Sequence, residues 1–146
     1  MAMSTDANAM SNFNRDLIEQ FRANDGEIRE GMFKGAPVLL LTTRGAKSGA
    51  THTTPLVYTR DGDRLVVIAS KGGAPTNPAW YHNLVANPST TVEVGRERFQ
   101  ARAVVTQGEE RDRLFAAHAA VMPNFAEYQR RTTRRIPVIV LEPDGS

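Results

Sequence analysis

The chain has 146 residues, of which 40% are hydrophobic and 23% are charged, with a formal net charge of +2. This length fits one domain with a real core, and the small net charge argues against nucleic-acid binding by the molecule as a whole. The chain has no cysteine, which excludes disulfides, thiolate nucleophiles and cysteine ligands for metals and fits a reducing compartment. No apolar run approaches the roughly 20 residues of a membrane span, so we expect a cytoplasmic protein.

The first predicted helix covers residues 11–22. Its apolar side chains recur at helical spacing on one face, and Ser11 or Asn12 can cap it. These side chains are Phe13, Leu17, Ile18 and Phe21. The short apolar face permits peripheral contact with a membrane without requiring it. Residues 1–10 are small and polar and lack the regions of a signal peptide, so we expect a disordered tail or expression scar there and a single domain over residues 11–146.

Short strands joined by turns are predicted next. Residues 38–42 form a continuous apolar run, which is typical of a buried strand. Residues 51–59 are rich in β-branched side chains and predict a second strand. An Asp-Gly turn at residues 61–62 leads into a returning strand over residues 64–70. The glycine and proline residues within 71–77 predict a loop.

The second half of the chain contains more helix. Pro78 is expected at the first position of a helix over residues 78–84, with Asn77 as its cap. The later elements are a hairpin of residues 90–94 and 98–105 around Gly95, helices over residues 109–121 and 123–130, and a last strand over residues 136–142. About six strands, mostly connected by hairpins, indicate an α+β, mainly β fold with a barrel-like antiparallel sheet and peripheral helices.

One candidate anion site is the segment Arg44-Gly45-Ala46-Lys47-Ser48-Gly49, which we call the Lys47 turn. Residues 31–60 around it contain four basic residues and no carboxylate. A glycine-bearing turn with a lysine and a serine offers backbone N–H groups, a cation and a hydroxyl to one anion. An ordinary solvated hairpin turn explains the same residues equally well. A P-loop is disfavoured, because Ala46 stands where a glycine is required and no helix follows.

A second candidate is the segment Ser70-Lys71-Gly72-Gly73, which we call the Lys71 turn. Paired glycines let a flat ligand or its phosphate approach the backbone closely, although a flexible turn is the usual explanation of such a pair. The helix after it carries the only tryptophan, Trp80, and helix N-termini favour anionic groups. Trp80 serves equally well as the core anchor of this helix.

The remaining candidates are less specific. Met122, Phe125 and Tyr128 recur every three residues, which indicates either core packing or an apolar wall over a planar substrate. The three histidines lack zinc spacing, so no metal is expected. His52 is expected to assist the Lys47 turn, and His118 to be a surface or packing residue.

Four arginines cluster near the C-terminus. Arg130, Arg131, Arg134 and Arg135 could contact nucleic acid or anionic lipid, but a solvated face or helix C-terminus is the better interpretation, and no nucleic-acid partner is expected. The two cationic glycine turns and the aromatic helix therefore indicate a site for a flat, anionic ligand. An enzyme that lacks groups for covalent or metal chemistry takes its chemistry from a cofactor.

Several segments resemble the deazaflavin-dependent nitroreductase family of actinobacteria, whose members use coenzyme F420. The resemblance covers residues 13–143 and is specific because four motifs occur in order. These motifs are Leu41-Thr42-Thr43-Arg44-Gly45-Ala46-Lys47-Ser48-Gly49, Thr54-Pro55-Leu56, Ala69-Ser70-Lys71-Gly72-Gly73 and Asn77-Pro78-Ala79-Trp80-Tyr81-His82-Asn83-Leu84. The closing Ile136-Pro137-Val138 and Glu142-Pro143 also match.

The resemblance implies a split β-barrel, like that of the FMN-binding pyridoxamine-phosphate-oxidase superfamily, and reduced coenzyme F420 as hydride donor. For such a hydride transfer, our candidate donors to the acceptor oxygen are Ser70 and Tyr128, and the apolar wall of Met122, Phe125 and Tyr128 supplies the candidate substrate contacts. The implied cofactor-binding residues are Ala46, Lys47, Ser48, Gly49, His52, Thr54, Pro55, Ala69, Ser70, Lys71, Gly72, Gly73, Asn77, Trp80, Tyr81 and Asn83.

Two departures from the family pattern bear, in turn, on the grip on the cofactor's anionic tail and on the substrate. His52 stands where the family often has arginine, and Met122 and Phe125 stand where nitroimidazole-reducing members carry tyrosines. We therefore expect hydride transfer to quinones or to the activated C=C bond of unsaturated lactones such as coumarins and aflatoxins. The alternatives are an F420-binding or storage protein without turnover and an FMN-dependent oxidoreductase. A small-molecule acceptor is the expected partner, and both a monomer and a dimer are compatible with the sequence.

Overall fold

Seven strands and four helices make up the computed structural model, which describes the backbone of residues 2–144 and the side chains of residues 12–144. The strands are β1 (Val38–Arg44), β2 (Thr51–Val57), β3 (Thr59–Asp61), β4 (Arg64–Ile68), β5 (Ser89–Val94), β6 (Glu97–Val105) and β7 (Val138–Pro143). The helices are α1 (Ala2–Ala23), α2 (Ala79–Ala86), α3 (Gly108–Val121) and α4 (Asn124–Arg130).

Helix α1 begins earlier than the apolar pattern predicts. Its backbone is helical from Ala2 rather than from Ser11, so it overlaps the predicted tail over residues 1–10. Residue 1 and the side chains of residues 2–11 lie outside the described part of the chain. Within the described part, no helix combines the length and the apolar character needed to cross a membrane.

The strands form one antiparallel sheet in the order β2-β1-β5-β6-β7-β4-β3. The single strand predicted over residues 51–59 is wrong, because the chain divides at Tyr58 and its two halves lie at opposite edges of the sheet. Tyr58 donates its backbone N–H to the carbonyl of Pro37 at 3.1 Å. Since one residue connects the two edges, the sheet must curl until they meet, which gives the barrel.

Continuous apolar runs mark the strands that are covered on both faces. In β1, Leu39 and Leu41 point into the barrel core, whereas Val38 and Leu40 pack beneath α1. Strands β4 and β7 alternate in the same way, with their outer faces covered by α3 and α4. Burial on both faces removes the polar alternation of a half-exposed strand, so the predicted buried strand at 38–42 is confirmed and extends to Arg44.

Helix α2 contributes to the barrel core from a position between β4 and β5 in sequence. Trp80 and Leu84 lie one helical turn apart and are both buried with Leu39, Leu41 and Val67. This packing fixes α2 relative to the two turns that precede and face it.

A buried histidine lies between α3 and the sheet. His118 is fully enclosed, with Nδ1 2.9 Å from Thr59 Oγ1 and its ring edge-on to Phe125 at 4.5 Å. Among the described residues, Nε2 has no hydrogen-bond partner. Burial lowers the pKa of this imidazole from 6.5 to about 4, because removal from water penalises the charged form. Of the two roles that the sequence allows, His118 takes the packing role.

The free energy of unfolding should therefore fall as the pH drops from 6.5 to about 4. In this window the unfolded chain binds a proton at His118 that the folded chain does not bind, so stability rises with pH. The loss should reach about 3 kcal/mol, at about 1.4 kcal/mol per pKa unit. Urea unfolding of His118→Asn should show a flatter pH dependence than that of the unmodified chain. An unchanged slope in His118→Asn would contradict the assignment.

Candidate cofactor site

The Lys47 turn is a closed loop of backbone hydrogen bonds. Gly49 N–H donates to the carbonyl of Gly45 at 3.0 Å, and Gly45 N–H donates to that of Ala50 at 2.7 Å. Ser48 Oγ accepts from Ala50 N–H at 3.2 Å. Within residues 12–144, no group accepts from the amides of Lys47 and Ser48. Two unengaged N–H groups, an ammonium and a hydroxyl are thus held together at one tight turn, which is the composition of an anion site.

His52 lies beside this turn, and its expected role in assisting the turn stays a prediction. A Cβ atom at Gly45 would be 2.7 Å from Ser48 Oγ and 3.3 Å from His52 Nε2, so both side chains lie close to the start of the turn. His52 is exposed at the start of β2, opposite Thr43 of β1. Thr54 and Pro55 follow on the same strand, paired with Leu41 and Leu40 and half-buried.

Asn83 fastens the Lys47 turn to α2. Its Oδ1 accepts from Ala46 N–H at 3.0 Å, and its Nδ2 donates to Thr43 Oγ1 at 3.1 Å. The side chain is 9% exposed, and its bond to Thr43 is buried whereas its bond to Ala46 is partly buried. Asn83 therefore positions the turn from behind, and its polar atoms are used by the protein itself.

Replacing Asn83 by alanine should lower the free energy of unfolding by about 1–3 kcal/mol, because the Ala46 amide loses its buried acceptor. The exposed neighbour His82→Ala is the matched control and should change stability by no more than about 0.5 kcal/mol. Hydrogen exchange at the Ala46 amide should accelerate in Asn83→Ala only. Equal stability of the Asn83→Ala and His82→Ala variants would contradict the positioning role of Asn83.

The Lys71 turn is a single 3-10 turn with unusual backbone angles. Lys71, Gly72 and Gly73 all have positive φ, at 48°, 64° and 84°. A Cβ atom at Gly72 would meet nothing within 4 Å, whereas one at Gly73 would lie 2.8 Å from the carbonyl oxygen of Tyr128. One side of the turn is thus open and the other is packed against α4. The Lys71 ammonium is 3.4 Å from Thr76 Oγ1 and has no carboxylate partner in the described chain.

Arg134 holds the Lys71 turn in place. Its guanidinium donates to the carbonyls of Ala74 at 2.8 Å, Ser70 at 2.7 Å and Ala69 at 3.2 Å. It also donates to Asn77 Oδ1 at 2.6 Å. The prediction of a solvated face is therefore wrong for this arginine.

The predicted cap of α2 is also wrong. Pro78 occupies the cap position with extended backbone (φ −69°, ψ 156°), and the helix begins at Ala79. The Asn77 side chain is bound to Arg134 instead of the helix terminus. The charged guanidinium is a stronger partner for this amide oxygen than a helix N–H group.

The other arginines of the cluster lie on the surface, as predicted. Arg130 pairs with Glu127 at 2.7 Å, and Arg135 pairs with Asp112. Arg131 lies over the ring of Tyr128, 5.9 Å from its centroid.

The two proposed catalytic side chains lie on adjacent segments. Ser70 begins the Lys71 turn and is 8% exposed, whereas Tyr128 is half-buried on α4, against Gly73. The Tyr128 hydroxyl accepts from Asn124 Nδ2 at 3.0 Å. Because that bond uses a lone pair, the hydroxyl proton is free to be donated elsewhere.

Several predicted contact residues are buried in the protein core. Trp80 is 7% exposed in the barrel core, and Tyr81 packs partly against the same core. Phe125 is 6% exposed between His118 and Tyr128. Met122 and Tyr128 are half-buried against the apolar cluster between the sheet and helices α3 and α4. The core-anchor interpretation of Trp80 and Phe125 therefore accounts for most of their surface.

A family model described as F420H(2)-dependent quinone reductase matches residues 13–143. The chain belongs to this family. Reduced coenzyme F420 is accordingly its cofactor, and the chain is an oxidoreductase. The name of the matching family refers to quinone reduction rather than nitroreduction.

Similar proteins support the family and the fold. The F420H(2)-dependent quinone reductase Rv1261c of Mycobacterium tuberculosis (strain ATCC 25618 / H37Rv) is 44% identical over 124 residues, covering 83% of each chain. A solved F420-H2 dependent reductase (FDR-A) and a domain-swapped dimer each show 39% identity and a TM-score of 0.68. They cover 73% of this chain, and 94% and 80% of their own.

A more distant structure bears on the fold alone. A Listeria innocua protein named as a pyridoxamine 5′-phosphate oxidase is 15% identical, with a TM-score of 0.55 over 75% of this chain and 85% of its own. The predicted split-barrel fold of the F420H(2)-dependent quinone reductase family is therefore confirmed for this member.

The residues at both turns fit an anionic cofactor. The Lys47 turn presents two amides that have no acceptor among the described residues, and the Lys71 turn has an open glycine face backed by the Arg134 guanidinium. F420 is anionic through its phosphate and glutamate tail, so cations and free N–H groups are the donors that it needs.

Proposed function

We propose that this chain is an F420H2-dependent reductase for small, planar, electron-poor acceptors, with quinones as the first class. The observation that carries the proposal is the Lys47 turn. Its two amides, ammonium and hydroxyl have no acceptor in the described chain, yet Asn83 holds the turn rigidly against α2. A turn fixed in this way is organised before the anion arrives, which lowers the entropy lost on binding.

The chain's own residues would position the cofactor and donate hydrogen bonds to the acceptor. Bound F420H2 supplies the hydride. Lys47 and Lys71 would hold its anionic parts, and the open face of Gly72 lets a flat group approach the backbone. Ser70 and Tyr128 would donate hydrogen bonds to the acceptor oxygen on which negative charge develops. Holding two planar reactants in near-attack geometry can contribute about 7 kcal/mol or more to lowering the barrier.

The predicted substrate contacts differ in exposure. Phe125 is turned into the core, so Met122 and Tyr128 are the predicted substrate contacts that keep partly exposed surface.

We propose that unsaturated lactones of the coumarin and aflatoxin type are a second substrate class. Both classes place an electron-poor carbon in conjugation with a carbonyl oxygen, which a hydroxyl donor can stabilise.

Cofactor titration and single-turnover kinetics test the proposal. Fluorescence quenching measures the affinity for F420, and stopped-flow absorbance follows F420H2 oxidation with a quinone, a coumarin or no acceptor. We expect binding, and oxidation that requires an acceptor. Binding without any acceptor-dependent oxidation would favour a storage protein, and a purified sample that carries FMN would favour an FMN-dependent oxidoreductase.

Replacing Tyr128 by phenylalanine should lower kcat for quinones by about 100-fold, because loss of a positioned proton donor costs this order of rate. The dissociation constant for F420 should stay within about threefold, since the ring and its packing are retained. Tyr58→Phe, at the junction of β2 and β3, is the matched control and should leave kcat unchanged. If Tyr128→Phe turns over every acceptor at the original rate, Tyr128 is not the donor.

A further inference from the structure

Arg134 carries a positive charge that the described chain does not neutralise. Its four hydrogen-bond acceptors are three backbone carbonyls and an amide oxygen, all of them uncharged. Within residues 12–144, no carboxylate lies within 4.0 Å of it, whereas Arg130 and Arg135 each pair with one. Burial lowers the pKa of Arg134 with no opposing contribution from a nearby carboxylate.

An unpaired, partly buried charge is costly for a folded protein. Here the charge lies directly behind the Lys71 turn, because its bonds reach the carbonyls on both sides of Lys71 and Gly72. Lys71, Gly72 and Gly73 all have positive φ, a backbone conformation that only glycine adopts readily. The bonds from Arg134 hold the turn in this conformation. The position of this charge therefore favours an anion on the open side of the turn.

Arg134 is itself held by its surroundings. Gln129 Nε2 donates to the Arg134 carbonyl at 2.8 Å, and Thr132 Oγ1 accepts from its N–H at 3.3 Å. Gln129 Oε1 in turn accepts from the buried Arg111 at 2.9 Å and from Ile136 N–H at 3.1 Å. These bonds extend from α3 through α4 to the Lys71 turn, so the guanidinium has a fixed location.

We propose that Arg134 is the positioning residue that makes the Lys71 turn an anion site. It acts through the carbonyls of Ala69, Ser70 and Ala74, and it supplies a charge that the bound anion compensates. The inference rests on the proposed function, because the anion is the phosphate-bearing part of F420.

Three variants separate geometry from charge. Arg134→Lys keeps the charge and loses the fork of hydrogen bonds, Arg134→Gln loses both, and the surface Arg135→Gln is the matched control. Each is titrated with F420 and with the deazaflavin riboside, which lacks the phosphate and the glutamate tail. We expect the dissociation constant for F420 to rise about tenfold in Arg134→Lys and further in Arg134→Gln, with less than about threefold change for the riboside. Arg135→Gln should bind both ligands as the unmodified chain does.

Hydrogen exchange of the cofactor-free protein gives a second readout. The amides of Gly73 and Ala74 should exchange faster in both Arg134 variants and at the original rate in Arg135→Gln. If Arg134→Gln does not fold, Asn77→Ala removes one acceptor of the guanidinium and should give a smaller loss with the same preference for F420 over riboside.

The outcomes are distinct from those for the proposed function. If the unmodified chain binds no F420, the proposed function fails. If the unmodified chain binds F420 and the Arg134 variants bind it equally well, or lose F420 and riboside to the same extent, the role of Arg134 is wrong while the function stands.

Discussion

Lys47→Ala should raise the dissociation constant for F420 by about 10- to 100-fold, which is the effect of losing one charge-assisted contact to an anion. The ammonium belongs to the turn that also carries the Ser48 hydroxyl and the two amides without an acceptor in the described chain. Removing it takes away the charge and leaves the turn's backbone bonds intact. The loss should therefore appear in F420 affinity and in KM for F420, with little change in kcat at saturation.

Lys34→Ala is the matched control for this experiment. Lys34 is also exposed and lies on the segment before β1, outside the site. The Lys34→Ala variant should bind F420 as the unmodified chain does. The riboside should bind the Lys34→Ala and Lys47→Ala variants equally. A Lys47→Ala variant that retains full affinity for F420 would place the anionic tail elsewhere.

Gly73→Ala should destabilise the protein by about 2–4 kcal/mol, combining the cost of a left-handed backbone with that of overpacking. Gly73 has a φ of 84°, and a Cβ atom there would lie 2.8 Å from the Tyr128 carbonyl oxygen and 2.9 Å from Arg131 Cβ. The clash is with backbone, so α4 must move. Because α4 carries Tyr128, turnover should fall together with stability.

Gly72→Ala provides the comparison within the same turn. Its φ is 64°, but a Cβ atom there would have nothing within 4 Å. Gly72→Ala should lower the free energy of unfolding by only about 1–2 kcal/mol, which is the cost of placing alanine in a left-handed backbone conformation. Thermal unfolding should show a midpoint several degrees lower for Gly73→Ala than for Gly72→Ala, at about 3 °C per kcal/mol for a chain of this size. Equal midpoints would show that α4 accommodates the extra methyl group.

Local patterns predicted much of the fold. The buried strands are recognisable from apolar runs such as residues 38–42, and the hairpin around Gly95 from its flanking residues. Both candidate turns are visible because lysine, serine and glycine are adjacent in the chain. Their roles in binding stay predictions, since their chemistry was inferred from residue type and resemblance.

Long-range pairing explains what the sequence did not reveal. Tyr58 divides one β-rich segment into two strands because the sheet closes there, and nothing in the residues 51–59 marks that point. An arginine cluster that contains no aromatic residue predicts a solvated face or a helix C-terminus, and this pattern does not set Arg134 apart from its neighbours. The pairing of Ile68 with Val138 would have revealed it, since continuing that antiparallel register places Arg134 beside the Lys71 turn.

The position of β7 has a consequence for biosynthesis. This strand follows every other element in the described chain, yet it lies between β6 and β4 in the middle of the sheet. Until the ribosome has released residues 138–143, two strands each lack a neighbour and expose their unpaired edges. The nascent chain therefore has to wait for β7 before the barrel can close, and a variant that lacks residues 138–143 should yield aggregates rather than a smaller enzyme.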